Sequence, residues 1–314
     1  KYDRDAEVKL RDVMFLCHPR TVNKYEEDLF KKIAERTLAT PDTWEVSLSA
    51  GKDKKATWER LITEGKLGGK ATLMNIRNMM QASVDRKIIN EGLMNLNGTM
   101  LLPLDFLKAA RFAPEFNTQI SDAMVNSYKN LPKLPGRTLF IVDVSGSMGS
   151  LTSSGSNFSR LDQACAMAML AANQCEDFEL VATAGNDGTR IQASEWIKYP
   201  KKGFDLAKQI TATSSNIGWG GIFTRQCLNW CKDNKDLYGK GFDRVIIFSD
   251  SQDCDYSKEL PKPFGKYNYI CDISAHTKGV NYRGVWTAEI SGWSEHFLTY
   301  IAAYEGIENT FAEE

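Results

Sequence analysis

The sequence is poor in the residues from which zinc sites and disulfide frameworks are built. Among its 314 residues there are 3 His and 7 Cys, and no two Cys have the spacing Cys-x-x-Cys. A zinc site needs several such ligands close together, so we expect none. The odd number of Cys, with Cys165 and Cys271 inside apolar runs, favours reduced thiols over disulfides. We therefore expect a reducing compartment and predict a cytoplasmic location.

The sequence also lacks long apolar runs and a recognisable leader. No run approaches the ~18 residues that cross a bilayer, and no charged and then apolar segment precedes a small-residue cleavage site. We therefore expect a soluble protein with no membrane partner. The chain begins with Lys1 rather than Met, which predicts a fragment or a processed product. At 42% hydrophobic and 25% charged residues, the composition excludes disorder and fits one large domain or two ordinary ones.

The small net charge of -1 conceals two halves of opposite sign. Residues 1–140 contain 23 Lys and Arg against 18 Asp and Glu, whereas residues 141–314 contain 16 against 22. We expect any polyanion to bind to the basic first half. The acidic second half repels a polyanion unless a bound cation lies between them. Ordinary solvated helix faces remain an alternative explanation of this modest excess.

Apolar residues in the first 130 positions repeat with the period of a helix. Such faces are Leu10, Val13, Met14 and Cys17; Leu29, Phe30, Ile33 and Ala34; and Leu73, Ile76, Met79 and Met80. Each spacing predicts a buried helix face and does not fit the alternation of a strand. Within residues 130–137, two Pro and a Gly oppose a continuing helix. We predict a segment of helical repeats over residues 1–133.

Beyond this break, short β-rich runs alternate with helical segments. The predicted strands cover residues 138–143, 178–183, 243–248 and 267–272, and the predicted helices cover residues 161–175, 204–210, 224–232 and 294–304. Nearly continuous apolar strands separated by helices are typical of a parallel sheet covered on both faces. We predict that an α/β domain with a doubly wound, mainly parallel sheet follows the helices over residues 137–314.

Oxygen-bearing side chains follow two of these strands. The first strand ends in the sequence Asp-Val-Ser-Gly-Ser, in which Asp143, Ser145 and Ser147 alternate with other residues, and a later strand ends just before Asp250. In such a sheet ligands bind at the carboxyl ends of the strands. Carboxylates and hydroxyls together can hold a hard cation, so we predict a site for Mg²⁺ or another divalent cation.

This pattern resembles the metal-ion-dependent adhesion site of von Willebrand factor A domains, whose signature is Asp-x-Ser-x-Ser. The resemblance covers residues 137 to about 305, and it implies a metal that receives an acidic group from a protein partner. The family supplies a Thr after a Gly-Gly pair, but here Ile222 follows that pair and the nearest Thr is Thr224. Either Thr224 reaches the metal, or water, Ser214 or Ser215 replaces the family's Thr.

A second interpretation of the same residues is enzymatic. Ser147 lies one glycine short of a Gly-x-Ser-x-Gly nucleophile elbow, and the order Ser147, Asp250, then His276 or His296 is that of an α/β-hydrolase triad. Two features oppose this interpretation. Ser145 lies where the sharp turn of the elbow requires Gly, and the carboxylate of Asp143 beside it suits a cation better than an oxyanion. We therefore expect a protein without catalytic residues, and an esterase is the weaker alternative.

The helical half has a resemblance of its own. Residues 40–51, 54–61 and 66–79, with Trp44 and Trp58, look like the TROVE domain of the Ro autoantigen family. In that family HEAT-like helical repeats precede a von Willebrand A domain, which is the order predicted here. Residues 1–133 would then be the C-terminal part of a TROVE-like domain.

The resemblance implies an RNA-binding protein that works as a ribonucleoprotein. Family members hold small Y RNAs on a ring of helical repeats and thread the single-stranded ends of misfolded RNAs through its centre. In bacteria they can work beside a 3′ exoribonuclease. By position, Arg11, His18 and Arg20 match the RNA-facing end of a family helix. For His18, a role as helix C-terminal cap is an equal alternative.

Residues 51–80, called the basic segment below, favour the same function through their charge. They contain three acidic residues and seven basic ones, which are Lys52, Lys54, Lys55, Arg60, Lys66, Lys70 and Arg77. We expect these basic side chains to contact RNA phosphates. Trp44 and Trp58 could stack on bases, although Trp in a helical segment more often belongs to the core.

The leading hypothesis is a Ro-like protein that holds small structured or misfolded non-coding RNA and binds an acidic partner through its metal site. The alternative is a metal-dependent protein-interaction module in which the helices are only a scaffold. The two predict different responses, because binding through Lys and Arg weakens with salt whereas carboxylate capture by a metal is lost with EDTA.

Overall fold

A computed structural model describes residues 7–96, 101–129, 133–255, 264–274, 286–292 and 297–307. The chain forms two compact units. The first comprises Lys1–Gly68 and Arg77–Gly92, and the second comprises Gly69–Ile76 and Leu93–Glu314. No helix of the described part of the chain combines the length and the apolar composition that crossing a membrane requires.

The described residues before position 130 are helical, as predicted. The helices are α1 (Leu10–Cys17), α2 (Lys24–Ala34), α3 (Trp44–Ser49), α4 (Lys54–Thr63), α5 (Gly69–Gln81), α6 (Arg86–Met94), α7 (Pro103–Phe112) and α8 (Asn117–Tyr128). Polar side chains begin several of them. The side chains of Asn23, Thr43 and Asp53 accept hydrogen bonds from the backbone N–H groups of the first turns of α2, α3 and α4. These contacts satisfy amides that have no partner inside the helix.

The predicted apolar faces differ in burial. On α5, Leu73, Ile76 and Met79 are buried and form the core face that their spacing predicts. On α1 the helix forms, but the prediction of a buried face is wrong: Leu10 is 52% and Val13 is 44% exposed. No residue of α1 or α2 is buried. Periodicity identified the helices, but it could not show whether another element covers them.

The described residues from 133 onward contain a mainly parallel sheet of six strands. The strands are β1 (Leu134–Asp143), β2 (Cys175–Asn186), β3 (Ile191–Trp196), β4 (Phe242–Ser249), β5 (Gly265–Asp272) and β6 (Ala288–Ser291). Their order is β3-β2-β1-β4-β5-β6, and β3 alone is antiparallel to its neighbour. The four predicted strands are confirmed, whereas β3 and β6 are additional. Both are short, and their residues are only partly buried or exposed, so they lack the apolar run that marks a central strand.

Helices lie between β1 and β2, between β3 and β4 and after β6, and the doubly wound fold is confirmed. They are α9 (Arg160–Gln174), α10 (Phe204–Ile217), α11 (Thr224–Asp233), α12 (Lys235–Tyr238) and α13 (Phe297–Tyr304). Along the chain, β2 and β3 are added to the sheet on one side of β1, and β4, β5 and β6 are then added on its other side. The carboxyl ends of β1 and β4 therefore flank a topological switch point, where ligands bind in open α/β sheets.

The second unit also includes helices that precede the sheet in the sequence. Helices α7 and α8 pack against α9. Arg111 on α7 forms an ion pair with Asp162 on α9 at 3.1 Å, and Ser121 Oγ on α8 accepts a hydrogen bond from Phe204 N at 3.2 Å. The domain limits at residues 133 and 137 stay a prediction, and β1 begins at Leu134, before the predicted start of the sheet domain.

A buried ion pair holds the C-terminal helix to the sheet. Arg244 on β4 and Glu305, just after α13, have side chains 2% and 4% exposed, and Arg244 Nε donates to Glu305 Oε1 at 2.9 Å. Arg244 Nη1 also donates to Pro135 O and Thr138 Oγ1, while Tyr269 OH donates to Glu305 Oε1. Each charged group thus has several polar partners, as burial requires.

Candidate functional sites at the sheet edge and in the helical half

Asp143 is the carboxylate at the centre of the sheet edge. It is the last residue of β1 and is fully buried. Its Oδ1 accepts a hydrogen bond from Ser145 N at 2.9 Å, and its Oδ2 accepts one from Ser249 Oγ at 2.6 Å. Burial raises the pKa of Asp143 to about 6, against the lowering effect of the hydrogen bonds from Ser145 and Ser249. Because Ser249 ends β4, this bond joins the two strands across the switch point.

The two serines of the motif are adjacent in space as well as in sequence. Ser145 Oγ and Ser147 Oγ lie 3.3 Å apart in the turn that follows β1. Between them, Gly146 N donates to Trp219 O at 3.1 Å, and a Cβ on Gly146 would overlap that carbonyl. Glycine is therefore required for the turn to approach the loop at Trp219. The alternation Asp-x-Ser-x-Ser does bring three oxygen-bearing side chains to one edge.

Asp250 lies at the same edge, but it already has a cationic partner. It directly follows Ser249, whose Oγ donates to Asp143 Oδ2, and its charge contributes to the raised pKa of Asp143. Asp250 is 1% exposed, and its Oδ2 lies 2.5 Å from Arg160 Nη1. Arg160 is the first residue of α9. Sequence analysis missed Arg160, because a basic residue at the start of a helix carries no signal of a contact with a residue so distant in the chain.

The second loop of the predicted site is arranged differently from the family pattern. Ile222, at the position expected for Thr, is buried and pairs with Asp253 through a short parallel bridge. Thr224 is buried at the start of α11, where its N–H donates to Asp253 Oδ1 at 3.1 Å. Ser214 Oγ donates to Thr211 O within α10. Thr224 therefore remains the candidate from this loop, and Ser214 is engaged elsewhere.

The strand-edge cluster, by which we mean Asp143, Ser145, Ser147 and Asp250, has the donor chemistry of a hard-cation site. All its ligand atoms are oxygens, as Mg²⁺ prefers. Among the residues that the structure describes, no three His, Cys, Asp or Glu side chains are grouped to hold a metal, so the hydroxyls would have to contribute. The cluster fits a divalent cation through Asp143, Ser145 and Ser147, whereas Asp250 shares its carboxylate with Arg160.

The structure does not describe the histidines on which the esterase alternative depends. Both His276 and His296 lie outside the described residues. Ser147 Oγ has Ser145 Oγ as its neighbour at 3.3 Å. The triad therefore stays an untested prediction.

The residues predicted to face RNA at the first helix have different surroundings. His18 is the C-cap of α1 in the left-handed conformation, with φ 43°, and its N–H donates to Met14 O. This confirms the capping role for its backbone, while its side chain is exposed. Arg20 is also exposed. Arg11 is partly buried, because its Nε donates to Ala34 O at 2.9 Å and its guanidinium lies 4.9 Å from the centroid of the Phe15 ring.

Two cations of the basic segment are neutralised by neighbouring carboxylates. Arg60 binds Asp42 through two hydrogen bonds of 2.7 and 2.8 Å and Glu64 through one of 2.9 Å. Lys66 Nζ lies 3.0 Å from Asp42 and 2.8 Å from Glu64. Hydrogen bonds from Arg60 and Lys66 hold the pKa of Asp42 well below its usual range. This four-residue surface cluster has no net charge, so Arg60 and Lys66 are poor candidates for phosphate contacts.

The other cations of the basic segment are more accessible. Lys55 and Lys70 form long ion pairs, with Glu59 at 3.8 Å and with Asp105 at 3.6 Å. Lys52, Lys54 and Arg77 are exposed, and within the described residues they form no ion pair. These three belong to the first compact unit. We call them the free cations.

The two tryptophans of this region pack on each other. Trp58 is 1% exposed, and its ring stacks on that of Trp44 with centroids 5.4 Å apart. Trp58 is therefore a core residue, as Trp in a helix more often is. Trp44 is partly exposed and covers it.

Comparison with known proteins identifies the family. The model of the TROVE domain matches residues 24–181, which is half of the chain. The chain belongs to the TROVE family of Ro proteins. The TROVE match begins at α2 and ends within β2, so it includes the basic segment, Asp143, Ser145 and Ser147 but neither Thr224 nor Asp250.

A solved structure agrees with this assignment at the level of the fold. The chain is similar to the RO (RSR) protein of Deinococcus radiodurans, with 16% sequence identity and a TM-score of 0.59 over 98% of this chain and 72% of that chain. It also matches an aerotolerance-related membrane protein of Bacteroides fragilis at 12% identity, over 43% of this chain and 66% of that chain, but a TM-score of 0.29 supports no conclusion. No curated protein matches the sequence.

Proposed function

We propose that this TROVE protein binds RNA through its helical half and holds small structured or misfolded non-coding RNA, including RNAs of the Y type. It does so without acting as an enzyme. Membership of the Ro family is the observation that carries the proposal. The basic charge of residues 1–140 supports it independently, because phosphate contacts need exposed cations.

The free cations are the proposed phosphate contacts. Lys52 and Lys54 flank the start of α4, and Arg77 lies on α5. Their side chains are exposed and form no ion pair with another described residue, so phosphates can approach them without breaking such a pair. Arg60 and Lys66 would first have to leave Asp42 and Glu64. Exposed Arg20 and His18 at the end of α1 are proposed as further contacts.

The strand-edge cluster is proposed as a site for an acidic group of a protein partner, such as an exoribonuclease. Asp143, Ser145 and Ser147 would hold a divalent cation there, with Thr224 as a further candidate ligand. The cation would supply an open coordination position for an outside carboxylate. A cytoplasmic location is part of the same proposal.

The experiment is a titration of a structured RNA with a single-stranded 3′ end, measured by fluorescence anisotropy across salt concentrations with and without EDTA. We expect tight binding that weakens steeply with salt and is unchanged by EDTA, because exposed cations contact phosphates without a metal. Absence of binding at low salt would contradict the RNA proposal for this chain.

A metal-dependent interaction module without RNA binding is the second candidate function. The convergence of Asp143, Ser145 and Ser147 at the switch point favours it. It predicts binding of an acidic peptide that EDTA removes, together with no binding of the RNA. Since the two candidates differ in both responses, the same pair of titrations separates them.

A further inference from the structure

Arg160 occupies a position that matters for any cation at the sheet edge. Its Nη1 lies 2.5 Å from Asp250 Oδ2, and the side chain of Asp250 is completely buried. A guanidinium and a divalent cation are both attracted to this carboxylate. Arg160 therefore supplies from within the chain the positive charge that a metal would bring.

The backbone that carries Arg160 is firmly held. Arg160 N donates to Ser150 O at 3.0 Å, and Ser159 and Asp162 form a reciprocal capping box at the start of α9. Leu151 and Ser159 pair across the loop that follows the Asp-x-Ser-x-Ser motif. The start of α9 is thus held by several contacts, and Asp250 is buried directly after β4, so rotation of the Arg160 side chain is the simplest way to separate the two charges.

The guanidinium has a route away from Asp250. The Arg160 side chain is 15% exposed, whereas that of Asp250 has no exposure. Rotation of the long Arg side chain can take its charged end into solvent, but Asp250 cannot follow. A cation that approached while Arg160 stayed in place would meet a like charge beside the carboxylate.

We propose that Arg160 is an internal cation that closes the metal site to other cations. This inference rests on the metal site of the proposed function. Arg160 pairs with Asp250 in the metal-free protein and must release this carboxylate before a divalent cation binds there. Metal affinity is then set by competition with the protein's own guanidinium. Arg160 thereby determines the affinity of the site without being one of its ligands.

The test is the affinity of the full chain for Mn²⁺, measured by calorimetry and by the electron paramagnetic resonance signal of the free ion. For Arg160→Gln we expect binding at least about tenfold tighter than for the unchanged chain, because a competing charge has been removed. Arg160→Lys keeps the charge and should remain within about threefold of the unchanged chain.

Two controls separate this effect from others. Arg111→Gln removes the same charge from a residue that pairs with Asp162 instead, and it should leave Mn²⁺ affinity unchanged. The double change Ser145→Ala and Ser147→Ala removes two proposed ligands and should abolish binding. Circular dichroism of each variant confirms that it is folded, and Arg160→Met, which also removes the charge, replaces Arg160→Gln if that variant does not fold.

The outcomes distinguish the inference from the proposed function. Equal Mn²⁺ affinity in the unchanged chain, Arg160→Gln and Arg160→Lys would overturn the role of Arg160 while leaving the metal site in place. If none of these proteins bound Mn²⁺, both the metal site and this inference would be refuted, and RNA binding would be unaffected. If both Arg160→Gln and Arg111→Gln bound Mn²⁺ more tightly, the loss of any nearby positive charge would explain the gain. That result would overturn the specific competition between Arg160 and the metal.

Discussion

The sheet edge and the helical half hold their charged groups in different ways. At the sheet edge, Asp143 and Asp250 are buried, and their partners Ser249 and Arg160 come from distant parts of the chain. In the helical half, Asp42 pairs with Arg60 and Lys66, which are no more than 24 residues away, and the three side chains are 35–49% exposed. Hydrogen-bonded strands fix the first arrangement, whereas rotatable side chains in water form the second.

This difference determines which charges are available to a ligand. A buried carboxylate has to be satisfied in the folded state, so its partner is part of the fold and restricts access. An exposed cation is available unless a neighbouring acid has neutralised it. In the proposed function, RNA binding by the helical half depends on the free cations, and metal binding at the sheet edge depends on displacement of Arg160 from Asp250.

The largest contrast is expected between a buried and an exposed ion pair. Arg244→Met should lower the free energy of unfolding by about 3–5 kcal/mol, because it leaves Glu305 buried without its partner. Arg60→Met removes an exposed pair and should produce no measurable loss, since such pairs are screened by water. Urea denaturation at neutral pH measures both. Similar losses from the two changes would show that the distinction between the regions does not hold.

The two aspartates predict pH dependences of opposite sign. The pKa of Asp143 is raised from 3.8 to about 6, so between these values the folded state binds more protons than the unfolded one. In EDTA, its contribution should lower the free energy of unfolding by about 3 kcal/mol as the pH rises through this window, and Asp143→Asn should remove that loss. Urea denaturation across pH checks this.

Asp42 provides the opposite case for the same experiment. Its pKa is lowered from 3.8, so its stabilising contribution is present above that value and is lost as the pH falls below it. Asp42→Asn should therefore remove the fall in stability at the acid end of the profile and leave the slope of the profile above about pH 5 unchanged. A profile for Asp143→Asn that matched the unchanged chain between pH 4 and about 6 would contradict the burial argument for Asp143.

The smallest effect is expected from Trp44. Because its ring packs on Trp58, Trp44→Leu should leave RNA affinity within about twofold, whereas loss of a base-stacking contact costs about 1–3 kcal/mol. Fluorescence anisotropy with the same RNA measures the change. A loss of more than about tenfold, in a variant that melts at an unchanged temperature, would assign base stacking to Trp44.

Sequence reasoning predicted the features that depend on local pattern. The helical period of Leu73, Ile76 and Met79 predicted α5 and its buried face, and the apolar runs predicted four strands. The convergence of Asp143 and Asp250 followed from topology, because parallel strands end at one edge. The short, partly exposed strands β3 and β6 carried no such pattern and were missed.

Features that depend on long-range side-chain contacts were beyond sequence reasoning. Nothing near Arg160 in the sequence indicates that it meets Asp250, and nothing near Arg60 shows that Asp42 neutralises it. The apolar face of α1 was wrongly predicted to be buried. Periodicity shows that a helix has an apolar face, but it does not show whether another element packs against that face. The basic segment was therefore correctly identified as basic, but its available cations could be counted only in the structure.

The central claim is that RNA binds to the free cations of the helical half. Its most direct test compares two triple variants in the salt titration of RNA binding. Lys52→Ala, Lys54→Ala and Arg77→Ala remove the free cations; Lys201→Ala, Lys232→Ala and Lys240→Ala remove equal charge from exposed residues of the second unit. We expect the first triple to reduce the slope of log affinity against log salt by about 2, and the second to leave it unchanged. Equal slopes in the two variants would contradict the claim.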